Sequence, residues 1–175
     1  YYWMMDRFYN GGKNGLGLSA MINGTGFMVA DSTLKKLGGW CTGTISEDME
    51  MTVLCALADV KVHWVPLART FDEQPLTLAQ SNCQRRRWTS GTFQVAQAYL
   101  PRVGQGLTLR PALSLADMGV TLLLPAYQLA MLLNLTVGAL SAFFGGSTVR
   151  EGLSRLLAYG GSSLAVTVLV TTLSV

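Results

Sequence analysis

The chain has 175 residues, half of them hydrophobic but only 13% charged, with a net charge of +3. Soluble domains carry about 25% charge, and the deficit here is local: residues 1–110 hold 19 of the 23 charged side chains, and 111–175 hold only Asp117, Arg150, Glu151 and Arg155. A soluble-looking region followed by a membrane-like one excludes disorder, a coiled coil and a simple soluble domain, and +3 is too little charge to argue for nucleic acid.

In chain order, Asn10 to Gly17, with four glycines, reads as a loop. Leu18–Ile22 suits a buried strand, and Asn23-Gly24-Thr25-Gly26 a tight turn into a second short strand, Phe27–Ala30. Asp31 or Ser32 can cap a brief helix through Leu37, stopped by Gly38 and Gly39. Thr44 to Glu47 fits a capping box, with Ser46 as the rival N-cap. The helix that follows, Glu47 to Ala58, ends at Asp59. Val60, Val62, Trp64 and Leu67 then approximate strand alternation. Strand, helix and strand in this order suggest an α/β domain.

Asp72-Glu73-Gln74-Pro75 reads as an exposed loop. Thr77 to Tyr99 is expected to be a long amphipathic helix bearing Arg85, Arg86 and Arg87. Residues 118–149 are 32 consecutive uncharged positions, and about 20 suffice to span a bilayer, so Met118 to Phe144 is the expected transmembrane helix. Leu156 to Val175 is a second uncharged stretch that stops within an apolar run. The expected organisation is a partial catalytic domain over 1–76, an interfacial helix and linker over 77–110, and a membrane region over 111–175 with one full and one truncated span. Arginines before the first span outnumber those after it, which places the N-terminal region in the cytoplasm. Cys41, Cys55 and Cys83 form no Cys-x-x-Cys pair and read as reduced thiols. The chain opens at Tyr1 without an initiator Met, and it is expected to be a piece of a longer protein.

Two clusters can carry chemistry. Glu47, Asp48 and Glu50 open a helix, where acids complement the dipole, but one of them facing a cleft can also act as a general base. Gln84, Arg87 and Trp88 fall at i, i+3 and i+4 and share one side of a helix. They can be part of a basic helix at a lipid surface, or an amide, guanidinium and indole that bind a diphosphate and stack a sugar. His63 stands alone and reads as structural. Asp6 and Asp31 are isolated acids.

A Gly-Thr-Gly turn at 24–26, Gly38-Gly39-Trp40, Ser46-Glu47-Asp48 and, 36 residues after Asp48, Gln84-x-x-Arg87-Trp88 ahead of apolar helices occur in one order. In this the chain resembles the membrane-embedded, processive family-2 glycosyltransferases: cellulose, hyaluronan, chitin and poly-N-acetylglucosamine synthases. The similarity covers roughly residues 10–100, and the tail in outline. It implies the C-terminal half of a GT-A-type nucleotide-sugar transferase domain, and an inverting transfer from a UDP-linked sugar to a growing polysaccharide. By the family's motifs Asp48 is the general base and Glu47 its support. Gln84, Arg87 and Trp88 lie on the interfacial helix, with Arg87 near the donor diphosphate and Trp88 near the acceptor sugar, and Gly24 and Thr25 lie in a turn lining the acceptor site.

The resemblance also implies Mg²⁺ or Mn²⁺ for the full-length enzyme. The family's uridine-binding aspartate and Asp-x-Asp metal motif have no counterpart here, so no metal ligands are identified, and this chain alone is expected to be inactive. Implied partners are the nucleotide-diphospho sugar, a glycan or lipid acceptor, and membrane lipid, with the protein multi-pass in the cell membrane. Two alternatives stand beside this reading: single-sugar transfer to a lipid, as in ceramide glucosyltransferases with a similar Gln-x-x-Arg-Trp pattern, or a catalytically inactive membrane-anchored interaction protein.

Overall fold

A computed structural model describes residues 5–145 together with Glu151, Ser154, Ala158, Gly160 and Gly161. The second uncharged stretch lies otherwise outside the described residues. The chain divides into two compact units, Tyr1–Leu122 and Leu123–Val175.

The first unit opens with a π-helix, Met5–Asn10, which runs directly into the short helix α1, Gly11–Gly15. The sequence predicts a loop here. Helix wins despite its glycines because Lys13 is drawn fully inside to pair with Asp117, and because Gly11 lets the backbone lie against the Trp64 ring, 3.1 Å from where a Cβ would stand.

No β-strand forms among the described residues. Residues 18–22 and 60–65 do run together, joined by one backbone bond from Ala20 N–H to the Val62 carbonyl (3.0 Å). The remaining ladder positions are taken by side chains. Asn10 accepts from the Met21 N–H, Thr52 from Ile22, Ser19 from Val62 and Asn14 from Trp64. Short polar side chains compete with sheet ladders in this way. The alternation expected from Val60 still holds through Trp64, with Val60, Val62 and Trp64 facing inward and Lys61, His63 and Val65 outward. Leu67 breaks it and is exposed.

Helix α2, Asp31–Leu37, begins after Ala30; neither Asp31 nor Ser32 caps it. It ends as expected: Gly38, at φ 84°, adopts the left-handed conformation, and the bonds Gly39 N–H to Leu34 and Gly38 N–H to Lys35 close its last turn. Trp40 stacks on Phe27 at 5.8 Å.

Helix α3, Glu47–Leu57, has Ser46 at the N-cap position, but its hydroxyl does not cap and the Thr44–Glu47 box is absent. Instead Glu50 reaches back to the N–H groups of Gly43 and Thr44. Asp59, at φ 56°, ends the helix as a left-handed residue.

Helix α4, Leu78–Leu109, starts with the Thr77–Gln80 capping box. It continues ten residues past the expected end at Tyr99. Pro101 removes one helical bond, yet Val95, Tyr99 and Val103 form one buried stripe through it, and that packing carries the helix on. Helix α5, Leu113–Gly145, contributes Leu115, Met118 and Leu122 to the same cluster, against Met49 and Val53 of α3. Leu113–Ser141 is long and apolar enough to cross a membrane. From Leu123 onward several leucines, Leu129, Leu132 and Leu133 among them, are exposed. The three cysteines are unpaired, and burial pushes the Cys55 thiol upward.

Candidate functional site

The N-terminus of α3 and the first half of α4 enclose a cavity of about 680 Å³. Glu47 and Asp48 enter it from the first turn of α3, and Gln84, Arg87 and Trp88 from α4. Gly24 and Thr25 enter from the turn that follows Ile22. All seven residues singled out in the sequence therefore share one wall-to-wall space. Gln84 and Trp88 are half-buried and lie on the stripe that continues through Gly91 to Val95 and Tyr99. Arg87 is exposed at the cavity's edge, and Arg85 and Arg86 point away from it into solvent.

Local bonds set the position of Asp48. Its Oδ1 accepts from the Met49 N–H at 2.7 Å. A Cβ placed on Gly24 would stand 3.4 Å from Oδ2, so the turn backbone lies directly against the carboxylate. Helix α4 comes equally close to the start of α3. At Gly91 a Cβ would overlap Ser46 Oγ and lie 2.7 Å from Ser46 Cβ. Three residues further along α4, Gln94 accepts from the Ile45 N–H at 3.2 Å.

A further wall was not legible in the sequence. The acid run at 72–73 is exposed, as expected, but Asp72, Glu73 and Gln74 line the cavity. Asp72 accepts from the Thr25 hydroxyl at 2.6 Å, and Gly26 packs onto the Thr70 side chain. Asp6, an isolated acid in the sequence, also lines the cavity and accepts from Asn23 Nδ2 at 2.9 Å. No periodicity or motif marks either acid, because both are brought in by chain segments without regular alternation. Asp31 stands elsewhere, paired with Lys35 on exposed α2. His63 and the Gly38–Trp40 segment are not part of the lining.

Five carboxylates and one guanidinium, Arg87, line the cavity among the described residues. They do not converge as a metal site: the described residues hold no group of three His, Cys, Asp or Glu side chains suited to an ion, and Asp6 and Asp72 are turned to Asn23 and Thr25.

Behind the cavity, Glu50 is buried. Desolvation pushes its carboxyl up, but the hydrogen bonds from Tyr99, Thr44 and Gly43 outweigh this and hold it below its ordinary value. The Tyr99 phenol is pushed up to about 12 by burial and by the Glu50 carboxylate, with Arg102 opposing.

The family model for glycosyl transferase family group 2 matches residues 3–173. The probable glycosyltransferase YdaM of Bacillus subtilis (strain 168) is 33% identical over 81 residues, 46% of this chain and 19% of that protein. The match thus spans about a fifth of the length of the curated relative. No solved structure matches the chain significantly.

Proposed function

The chain belongs to glycosyl transferase family group 2, and from that premise we propose that it forms the acceptor side of a membrane glycosyltransferase that uses a nucleotide-diphospho sugar. The observation that carries the reading is the shared cavity: a half-buried carboxylate on a helix N-terminus, an indole and a guanidinium on the facing helix, and a glycine turn against the carboxylate.

In this reading the acceptor hydroxyl attacks the anomeric carbon of the donor sugar. The bond from that carbon to the diphosphate breaks, and configuration inverts. A hydroxyl has too high a pKa to ionise unaided, so Asp48 takes its proton in the transition state. Glu47, exposed beside it, supports Asp48 at the same helix start. Arg87 at the rim meets the charge that develops on the leaving diphosphate. The face of Trp88 holds a sugar ring in line, and Gln84 and Thr25 supply hydrogen bonds to its hydroxyls.

The donor is proposed to be UDP-linked and the product a β-linked polysaccharide. The fold is proposed to be the C-terminal half of a GT-A-type α/β domain, with the cavity facing the cytoplasm and α5 as the first of several spans. The test is Asp48→Asn in the full-length protein, following nucleotide diphosphate release and labelled sugar in the product. Transfer is expected to fall about 10²–10⁴-fold while donor affinity stays within about twofold. Unimpaired turnover would remove Asp48 from the base role. A ladder of polymer lengths supports polymerisation, and a single glycolipid would overturn it in favour of one-sugar transfer.

A further inference from the structure

One buried carboxylate joins three pieces of the molecule. Glu50 Oε2 accepts from the N–H groups of Gly43 (2.9 Å) and Thr44 (2.8 Å), which fixes the loop whose Ile45 and Ser46 line the cavity. Its other oxygen, Oε1, accepts from the Tyr99 hydroxyl of α4 at 2.6 Å. Glu50 stands two residues after Asp48 on α3. Tyr99 stands eleven residues after Trp88 on α4.

Eleven residues make just over three whole turns of an α-helix, at about 3.6 residues per turn. Tyr99 and Trp88 therefore share one face of α4, about 16 Å apart along its axis. Whatever fixes the rotation of α4 at Tyr99 also fixes the direction in which Trp88 faces. The surrounding apolar stripe of Val95 and Val103 does this only loosely, because apolar contact is non-directional. A hydrogen bond to a buried carboxylate is directional, and its loss leaves one carboxylate oxygen without its donor.

We propose that Glu50 and Tyr99 are positioning residues for the transfer reaction: their bond sets the rotational register of α4 on α3, and so holds Trp88 and Gln84 over Asp48. This rests on the transfer reading given above. Neither residue lines the cavity or touches substrate. Tyr99 remains a protonated donor and Glu50 an ionised acceptor across the neutral range, so the joint is not switched by ordinary changes of pH.

The experiment is a double-mutant cycle in the full-length enzyme, with Tyr99→Phe, Trp88→Ala and the pair, each assayed as transfer per folded molecule and as the ratio of donor hydrolysis to transfer. Losing a hydrogen bond to a charged acceptor is expected to shift the register, and transfer with it, about tenfold. Hydrolysis should rise relative to transfer, because the acceptor ring is no longer held. If Tyr99 acts through Trp88, the double variant is no worse than Trp88→Ala alone. Losses that multiply, or an unchanged hydrolysis ratio, would overturn the proposal and leave Tyr99 a purely structural residue. If Trp88→Ala itself transfers normally, the transfer reading of the cavity fails instead.

Should Tyr99→Phe not fold, Glu50→Gln serves. Its amide oxygen can accept from Gly43 and Thr44 while its NH₂ donates to the Tyr99 oxygen. The joint survives without charge, and transfer should stay within about threefold of wild type, given the modest net value of a neutral hydrogen bond. A folded Glu50→Gln protein that has lost transfer more than about tenfold would refute the geometric role.

Discussion

Asp117→Ala is expected to destabilise the protein more than any change in the cavity. Lys13 is wholly buried, and its ammonium lies 2.8 Å from Asp117 Oδ2, itself 8% exposed. At an effective dielectric of about 20, unit charges at that distance attract by about 6 kcal/mol before desolvation is counted. Breaking a buried pair from one side costs about 3–5 kcal/mol, since the remaining charge stays buried and uncompensated. The Tyr9 ring, 4.4 Å from the ammonium, offsets about 1 kcal/mol of this. The expected net loss is therefore roughly 3 kcal/mol. Thermal unfolding of the full chain in detergent, followed by tryptophan fluorescence, should show Tm falling by roughly 10 °C. Lys13→Met with Asp117→Leu removes both charges and should recover most of that loss. A single variant melting within about 2 °C of wild type would refute the reasoning. So would a double variant no more stable than the single one.

Gly91→Ala gains about 1 kcal/mol of helix propensity, but its Cβ would overlap the Ser46 side chain, and overpacking costs about 1–3 kcal/mol. It should therefore lower both Tm and transfer, and adding Ser46→Gly should restore both; the assay is Tm together with turnover per folded molecule. Stability should also follow pH in a defined way. The Glu50 carboxyl is held below its ordinary 4.5, so its contribution is complete above that value and is lost as pH falls through the folded one. The Tyr99 phenol is raised from 10 to about 12, so its contribution is complete below pH 10 and is lost as pH rises towards 12. A Tm plateau between about pH 5 and 10 is expected, with Glu50→Gln flattening the acid limb and Tyr99→Phe the alkaline one; limbs unchanged in these variants would count against it.

The cavity was legible in the sequence where its residues sit at the start of α3, on α4 and in the Gly24–Thr25 turn. Asp48 in a first turn and Gln84, Arg87 and Trp88 at i, i+3 and i+4 are fixed by helical spacing, and their types announce their chemistry. Asp6 and Asp72 were not legible, because tertiary bonds to Asn23 and Thr25 position them and no local pattern encodes those. Around Lys13 the glycines suggested a loop, but burial of one ion pair overrode local propensity. The alternation from Val60 to Trp64 correctly gave the inward side. It could not reveal that Ser19, Asn10, Asn14 and Thr52 take up the backbone hydrogen bonds in place of a ladder.

The division of charge along the chain has a counterpart in the packing of the first unit. Met49 and Val53, Val95 and Val103, and Leu115 and Leu122 make one cluster from three helices. Asp48 and Trp88 stand just beyond its α3 and α4 members on the N-terminal side, and the uncharged run of α5 begins within it. Helix α4 therefore has two duties that its composition reflects. Gln84, Trp88 and Gly91 must stay close to the start of α3, while Arg85 and Arg86 on the opposite face remain exposed. Small or planar residues serve the first duty because α3 and the turn at Gly24 leave little room. Long cations serve the second because their charged ends stay in solvent. A helix that only lay on a membrane would not require glycine at position 91, and one that only lined a cavity would not require three adjacent arginines. Both features in one helix accord with the proposed transferase, in which the acceptor cavity stands beside a bilayer.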